Sequence, residues 1–308
     1  MKHFFIVNPA AGLVDSSKTI VEALEEIKKE KNDEFEYVVY LTKCPGDASK
    51  AVREYCNNNE GTLRFYSCGG DGTLNEVLNG LDLNKDVQLT CFPSGSGNDF
   101  IKYFNNPEGF KDLRKLIDGE PHTIDLLKVN DEYSINITNF GMDATVCVVM
   151  DKLRRKKIIG GKRAYSNAVL YCVLFKRNNR CQVIVDGKEI HNGKMLLCAV
   201  ANAKIYGGGY KCAPDADITD GLFQLCMIKA ISLFKISKAV SAYKEGTHLQ
   251  NEVVKPYIIY TQGKKVEVKA PKGIALCLDG ETKVVNEFSI ELIHNALNFV
   301  VPKEEKNN

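Results

Sequence analysis

Five short stretches of this chain combine residue types that could hold an anion or move a proton. The densest is Gly69-Gly70-Asp71-Gly72-Thr73-Leu74-Asn75-Glu76, set between an apolar run and a helix-like one. Glycines let the backbone turn sharply and bring N–H groups close to an anion, and the start of the following helix adds its partial positive charge. That is the physics of a phosphate cradle, although a tight turn with Thr73 capping the helix would use the same residues. Phe92-Pro93-Ser94-Gly95-Ser96-Gly97-Asn98-Asp99-Phe100 supplies small hydroxyls for phosphate or ribose, and Asn8-Pro9-Ala10-Ala11-Gly12 supplies small residues that permit close backbone approach. Neither the P-loop nor the dinucleotide glycine fingerprint is present. Two further stretches carry carboxylates. Asp279-Gly280-Glu281 follows an apolar run, so that a carboxylate could face a cleft; Asp186-Gly187 shows the same dipeptide as a plain turn. Asp215, Asp217 and Asp220 lie together in what could equally be a polar turn.

Alternating elements must position the three glycine-bearing loops. Strand-like runs at 3–8, 36–41, 62–68 and 87–92 are interleaved with helix-like ones at 17–31, 48–57 and 73–81, the first with Ile20, Ala23, Leu24 and Ile27 at helical spacing. Such alternation implies parallel strands with helical crossovers, whose ligands bind beyond the carboxyl ends of the strands. The loops Asn8–Gly12, Gly69–Thr73 and Pro93–Asp99 all sit at those ends. Near residue 125 the pattern changes. Turn signals at Asn130-Asp131 and Asp186-Gly187 separate strand-like runs at 125–129, 133–138, 181–185 and from 189. More follow at 194–201, 222–228, 264–269, 274–278 and 284–292, with helical stretches near 144–156, 164–177 and 232–244. This half is expected to be mainly antiparallel.

The chain has 308 residues, 44% hydrophobic, which suits two domains with real cores. Its 41 basic and 39 acidic side chains give a net charge of +2, so no global field draws it to duplex DNA, and no nucleic-acid partner is expected. No apolar run approaches the roughly 18 residues of a membrane span or makes a signal peptide, which points to a cytoplasmic protein. The 11 cysteines show no C-x-x-C pair and read as reduced packing residues.

Taken in order and spacing, NPAAG, GGDGTLNEVLNG, PSGSGNDF, GGGYKCAPDADITDGL and LDGE resemble the catalytic domain of diacylglycerol kinases and related soluble bacterial lipid kinases, kin of sphingosine kinases. NAD kinases share the GG-D-G core, but SGSGND stands here where they carry a Thr-rich segment. The resemblance implies an NAD kinase/diacylglycerol kinase-like α/β ATP-binding domain with a parallel sheet over residues 1–125, plus a C-terminal return at about 293–308. A mainly antiparallel, β-sandwich-like domain for lipid and metal would span residues 126–292. ATP would be held by Asn8, Pro9, Ala10, Ala11, Gly12, Thr42, Gly69, Gly70, Asp71, Gly72, Thr73, Leu74, Asn75, Glu76 and Ser96. A structural Mg²⁺ would take the carbonyls of Asp217 and Leu222 and the carboxylate of Asp220, supported by a water-bridged network to Asp71, Asp99 and Asp125. A second Mg²⁺ would accompany ATP.

The activity so implied is transfer of the γ-phosphoryl group to a lipid hydroxyl, diacylglycerol giving phosphatidic acid in phospholipid biosynthesis. Another lipid alcohol (a sphingoid base or a monoacylglycerol) is the alternative substrate, and a silent nucleotide- or lipid-binding regulator the alternative class. The reaction needs an acceptor for the hydroxyl proton and cations to balance phosphate charge. Glu281 is the first choice as that base, Asp279 the second, with Asp71 also in the catalytic set. Between Asp151 and Arg163 seven basic residues face one acidic, and Lys152, Arg154, Arg155, Lys156 and Lys157 are expected to bring the enzyme transiently to the inner face of the membrane. A homodimer is compatible with this sequence.

Overall fold

A computed structural model describes residues 1–31, 35–154 and 164–304. The chain divides into two compact units, Met1–Leu126 with His294–Asn308, and Leu127–Ile293.

The first unit contains β1 (Lys2–Val7), α1 (Ser17–Lys31), β2 (Tyr37–Leu41), α2 (Asp47–Asn58), β3 (Leu63–Gly69), α3 (Asp71–Leu78), β4 (Val87–Pro93), the short α4 (Leu113–Ile117) and the start of β5 (Glu120–Val129). Its sheet runs β4-β3-β1-β2, parallel throughout, with β1 and β3 in the middle. Those two read as near-continuous apolar runs, and every residue of β3 is buried, as parallel strands covered on both faces require. The helices turn their periodic positions inward: Ile20, Leu24 and Ile27 on α1, Ala48, Ala51, Val52 and Cys56 on α2. The sheet is completed by a segment from the far end of the chain. Asn298 and Phe299 pair in parallel with Gln88 and Leu89 of β4, and Thr90 Oγ1 donates to the Val300 carbonyl at 2.8 Å. The Phe299 ring packs against Phe100, Phe104 and Phe110 at 5.0, 5.7 and 6.1 Å between centroids.

The second unit takes up the rest of β5, then β6 (Glu132–Ser134), β7 (Ile137–Gly141), α5 (Met142–Arg154), α6 (Ala164–Phe175), β8 (Asn179–Val185), β9 (Lys188–Ala201), β10 (Phe223–Lys229), α7 (Leu233–Glu245), β11 (Ile258–Gly263), β12 (Lys265–Leu278) and most of β13 (Glu281–Val301). Strands run β11-β10-β9-β7-β12-β13, all antiparallel, with β8 pairing both β9 and β12 and a β5–β6 hairpin. The whole chain is thus a mixed α/β protein with a parallel N-terminal sheet and an antiparallel, sandwich-like second unit. The expected strands 264–269 and 274–278 are one strand, β12. Its register against β13 shifts between Lys269 and Ile274, where Pro271 and the left-handed Gly273 (φ 75°) interrupt the ladder without ending it. The edge strand β11 escapes the sequence pattern because its residues are half exposed and do not alternate.

None of the 11 cysteines is in a disulfide, and nine are buried. Burial pushes the thiols of Cys68, Cys91, Cys198 and Cys212 far above their ordinary range, so they pack as small hydrophobes. No helix among the described residues is long and apolar enough to cross a membrane.

Candidate active site: a phosphate cradle and two carboxylate loops

In the first unit the three glycine-bearing loops close against one another around the start of α3. Asn8 follows β1, and its Nδ2 donates to Thr73 Oγ1 at 3.0 Å while its Oδ1 accepts the Ala10 amide at 3.0 Å. Thr42, just past β2, donates its amide to the Val7 carbonyl at 2.9 Å, which sets it beside Asn8. The amides of Ser94 and Gly95 donate to the Gly69 carbonyl at 2.9 and 3.2 Å. These loops meet backbone on backbone. A Cβ on Gly95 would lie 2.4 Å from Gly70 Cα, and one on Gly12, whose φ is 78°, would lie 2.2 Å from the Ser94 carbonyl oxygen. No side chain fits either contact. By helix geometry the first amides of α3, including those of Gly72 and Thr73, have no carbonyl one turn back to donate to, so the enclosed end presents N–H groups and the positive end of a helix dipole.

Asp71, the first residue of α3, accepts the Asp99 amide at 2.7 Å on Oδ1, and a Cβ on Gly97 would lie 2.4 Å from its Oδ2. Asp99 is buried and takes Lys102 Nζ at 2.6 Å. The hydroxyl of Ser94 is enclosed and has no partner among the described residues. Ser96 is exposed. Three expected nucleotide contacts have other surroundings. The carboxylate of Glu76 caps α2, accepting the amides of Gly46 at 2.9 Å and Ala48 at 3.3 Å. Leu74 and Asn75 are buried, and Asn75 Oδ1 accepts from Asn79 Nδ2. Asp125 is fully buried; one of its oxygens accepts both His294 Nδ1 and the Asn295 amide at 2.8 Å.

In the second unit the turn after β12 holds two carboxylates of different character. Asp279 Oδ1 accepts the Ser134 hydroxyl and the amides of Asn136 and Ile137 at 2.9, 3.1 and 3.0 Å, and Oδ2 accepts the Ile135 amide at 2.8 Å. Burial pushes this carboxyl above its usual range while the donors pull the other way. Glu281, two residues on, is exposed at the start of β13. In the loop before β10, Asp217 Oδ1 accepts the amide and hydroxyl of Thr219, and Asp220 Oδ1 accepts the Leu222 amide at 2.9 Å. Among the described residues no group of three or more His, Cys, Asp or Glu side chains converges on a point. Lys152 is exposed on α5 and Arg154 closes that helix; Arg155, Lys156 and Lys157 lie outside the described residues.

Residues 2–129 match the diacylglycerol kinase catalytic domain, and residues 136–301 match the YegS C-terminal NAD kinase beta sandwich-like domain. The chain belongs to the diacylglycerol kinase catalytic-domain family. Among its relatives, the diacylglycerol kinase of Bacillus subtilis (strain 168) is 29% identical over 309 residues, covering 97% of this chain and 96% of that protein. A "Probable lipid kinase YegS-like" of Serratia proteamaculans (strain 568) is 32% identical over 270 residues, 86% of this chain and 84% of that one. The fold is shared with the crystal structure of a diacylglycerol kinase from Bacillus anthracis str. Sterne, with a TM-score of 0.69 at 20% identity over 97% and 96% of the two chains. It is shared more distantly with an NAD kinase from Archaeoglobus fulgidus solved in complex with ATP, with a TM-score of 0.51 at 18% identity.

Three residues that touch or lie within the expected site are not marked by the sequence. Lys102 could have been found, since it stands one helical turn after Asp99. Ser94 lies in the recognised loop, where nothing in the sequence separates it from Ser96. His294 gave no signal, being 169 residues from the Asp125 it holds.

Proposed function

We propose that this protein transfers the γ-phosphoryl group of ATP to the hydroxyl of a membrane lipid, with diacylglycerol as first substrate and phosphatidic acid as product. Membership of a family of lipid kinases supports the reaction class. The observation that carries the nucleotide half is the backbone-on-backbone closure of loops 8–12, 69–73 and 94–99 around the α3 N-terminus. It gathers small-residue backbone beside the first amides of α3, the kind of surface that suits phosphate rather than a side chain. The unpartnered, enclosed hydroxyl of Ser94 is a polar atom that a bound nucleotide could satisfy.

Glu281 is the residue we assign as base for the lipid hydroxyl. Asp279 is encircled by four donors, so it holds the 134–137 segment and positions the turn that carries Glu281. The oxygen donors of the 217–222 loop fit a hard divalent cation: the carbonyls of Asp217 and Leu222, with one oxygen of Asp220 taken by the Leu222 amide. Mg²⁺ held there would stiffen the loop, and Mg²⁺ with ATP would offset phosphate charge.

Radiolabelled ATP incubated with mixed micelles of diacylglycerol, monoacylglycerol or a sphingoid base should label one lipid class, in an Mg²⁺-dependent way. Glu281→Gln should abolish that labelling while an ATP analogue still binds. Absence of labelled lipid from every class refutes the kinase assignment, and full turnover in Glu281→Gln refutes the base.

A further inference from the structure

Helix α6, sequence AYSNAVLYCVLF, carries no charged residue in its 12 positions. One side belongs to the core: Ala168 and Cys172 are fully buried, and Val169 and Val173 pack against the same apolar cluster. The opposite side is just as apolar and faces solvent. Leu170, Tyr171, Leu174 and Phe175 are 58, 43, 48 and 69% exposed. Spaced i, i+1, i+4 and i+5, they form one continuous face, with the Tyr171 and Phe175 rings 5.4 Å apart. A water-soluble surface has no use for such a face, and the helix is far too short to span a bilayer.

Charge says what covers it. From Lys152 to Val185 the sequence holds ten Lys or Arg residues and no Asp or Glu. Of these, Lys176 and Arg180 are exposed immediately beyond the C-terminal end of the helix. A second copy of this chain laid face to face would bring like charges together, whereas an anionic leaflet offers hydrocarbon for the four side chains and phosphate for the two cations. We infer that the outer face of α6, Leu170, Tyr171, Leu174 and Phe175, inserts into the interface of an anionic bilayer with Lys176 and Arg180 at headgroup level. An apolar helix face lying in the membrane plane with flanking Lys and Arg is the physical form of interfacial anchoring. The inference deepens the lipid kinase reading and rests on it for its purpose, but its test does not require catalysis.

The test is cosedimentation of the full-length protein with vesicles of phosphatidylcholine alone or mixed with phosphatidylglycerol, with size-exclusion chromatography in parallel. The wild-type chain should partition onto the mixed vesicles. Leu174→Ser with Phe175→Ser should weaken that partitioning by at least about tenfold, since each lost apolar side chain is worth about that factor when fully buried. Lys176→Glu with Arg180→Glu should remove the preference for phosphatidylglycerol. Both variants should phosphorylate a short-chain, monomerically dispersed diacylglycerol at the wild-type rate. Equal vesicle binding by wild type and variants overturns the inference. So does a wild-type dimer that Leu174→Ser with Phe175→Ser splits into monomers, because the face then belongs to a second copy. Vesicle binding that follows these variants in a protein that labels no lipid supports the docking face and refutes the kinase reading alone.

Discussion

Asp279→Asn should cost about 2–4 kcal/mol of stability through one misplaced pair of donors and the loss of a charge. The side chains are the same size, and asparagine accepts the left-handed backbone at this position (φ 47°) as readily as aspartate, so neither cavity nor strain enters. With the amide oxygen in the place of Oδ1, the bonds from Ser134, Asn136 and Ile137 survive as neutral ones. The NH₂ group then faces the Ile135 amide where a carboxylate oxygen stood 2.8 Å away. Leaving that buried N–H without an acceptor costs about 1–3 kcal/mol, and weakening three charge-assisted bonds to neutral ones costs up to about 1 kcal/mol each. Part of this is returned because a charge no longer has to be buried, the same cost that raises the Asp279 pKa. Urea unfolding followed by circular dichroism should show the midpoint of the second unit's transition lowered by roughly 1–2 M, for a slope of about 2 kcal/mol/M. An unchanged midpoint would falsify the view that Asp279 organises the 134–137 segment, and would return it to candidacy as the base.

Three further outcomes follow from other sites. Gly95→Ala must force apart two loops whose backbones touch, so calorimetry should find affinity for an ATP analogue reduced at least about tenfold; unaltered affinity would mean the loops do not form the cradle. Glu76→Ala removes the acceptor for two amides at the start of α2 and should lower stability by about 0.5–2 kcal/mol, with ATP affinity kept, as thermal melting and titration will show. Asp143 is half-buried beneath the Tyr206 hydroxyl, which donates to it at 2.7 Å, and loss of solvent around it pushes its pKa up to about 6. The folded state therefore holds this proton more tightly than the unfolded one, and stability falls as pH rises from about 4 to about 6, by up to about 3 kcal/mol from this group. Asp143→Asn should flatten that part of the stability–pH curve; a variant whose curve parallels the wild type would refute the assignment.

The parallel half was legible because its strands are apolar on both faces and its helices carry a clear 3.6-residue period, so that loops 8–12, 69–73 and 93–99 fell at strand ends where they belong. The cradle's glycines were legible as types, but not the reason for each. That Gly95 is pinned by Gly70, and Gly12 by Ser94, depends on packing between segments far apart in sequence. Glu76 shows how a motif position can mislead: it stands inside GGDGTLNE, yet it lies one full turn along α3 from Gly72, and its carboxylate is taken by the amides at the start of α2. Asp279 and Glu281 looked interchangeable in sequence, and only the ring of donors around the former separates them. In the antiparallel half, β11 and the interrupted β12 were misread because edge exposure and a bulge erase the two-residue alternation on which strand recognition rests.

The parallel sheet that carries the cradle takes strand partners from residues 298 and 299, which lie beyond the whole second unit. During synthesis β4 therefore emerges as an open edge, with Phe100, Phe104 and Phe110 lacking the ring of Phe299. At about 5–20 residues per second, the interval before the missing segment appears is of the order of 10–40 s. Through that interval the nascent chain carries an unpaired strand edge beside uncovered aromatics, the combination most prone to mispairing with a neighbour. The edge of the parallel sheet is thus closed last, only once the second unit has been made, so a chain released from a ribosome stalled between them keeps this edge of β4 unpaired.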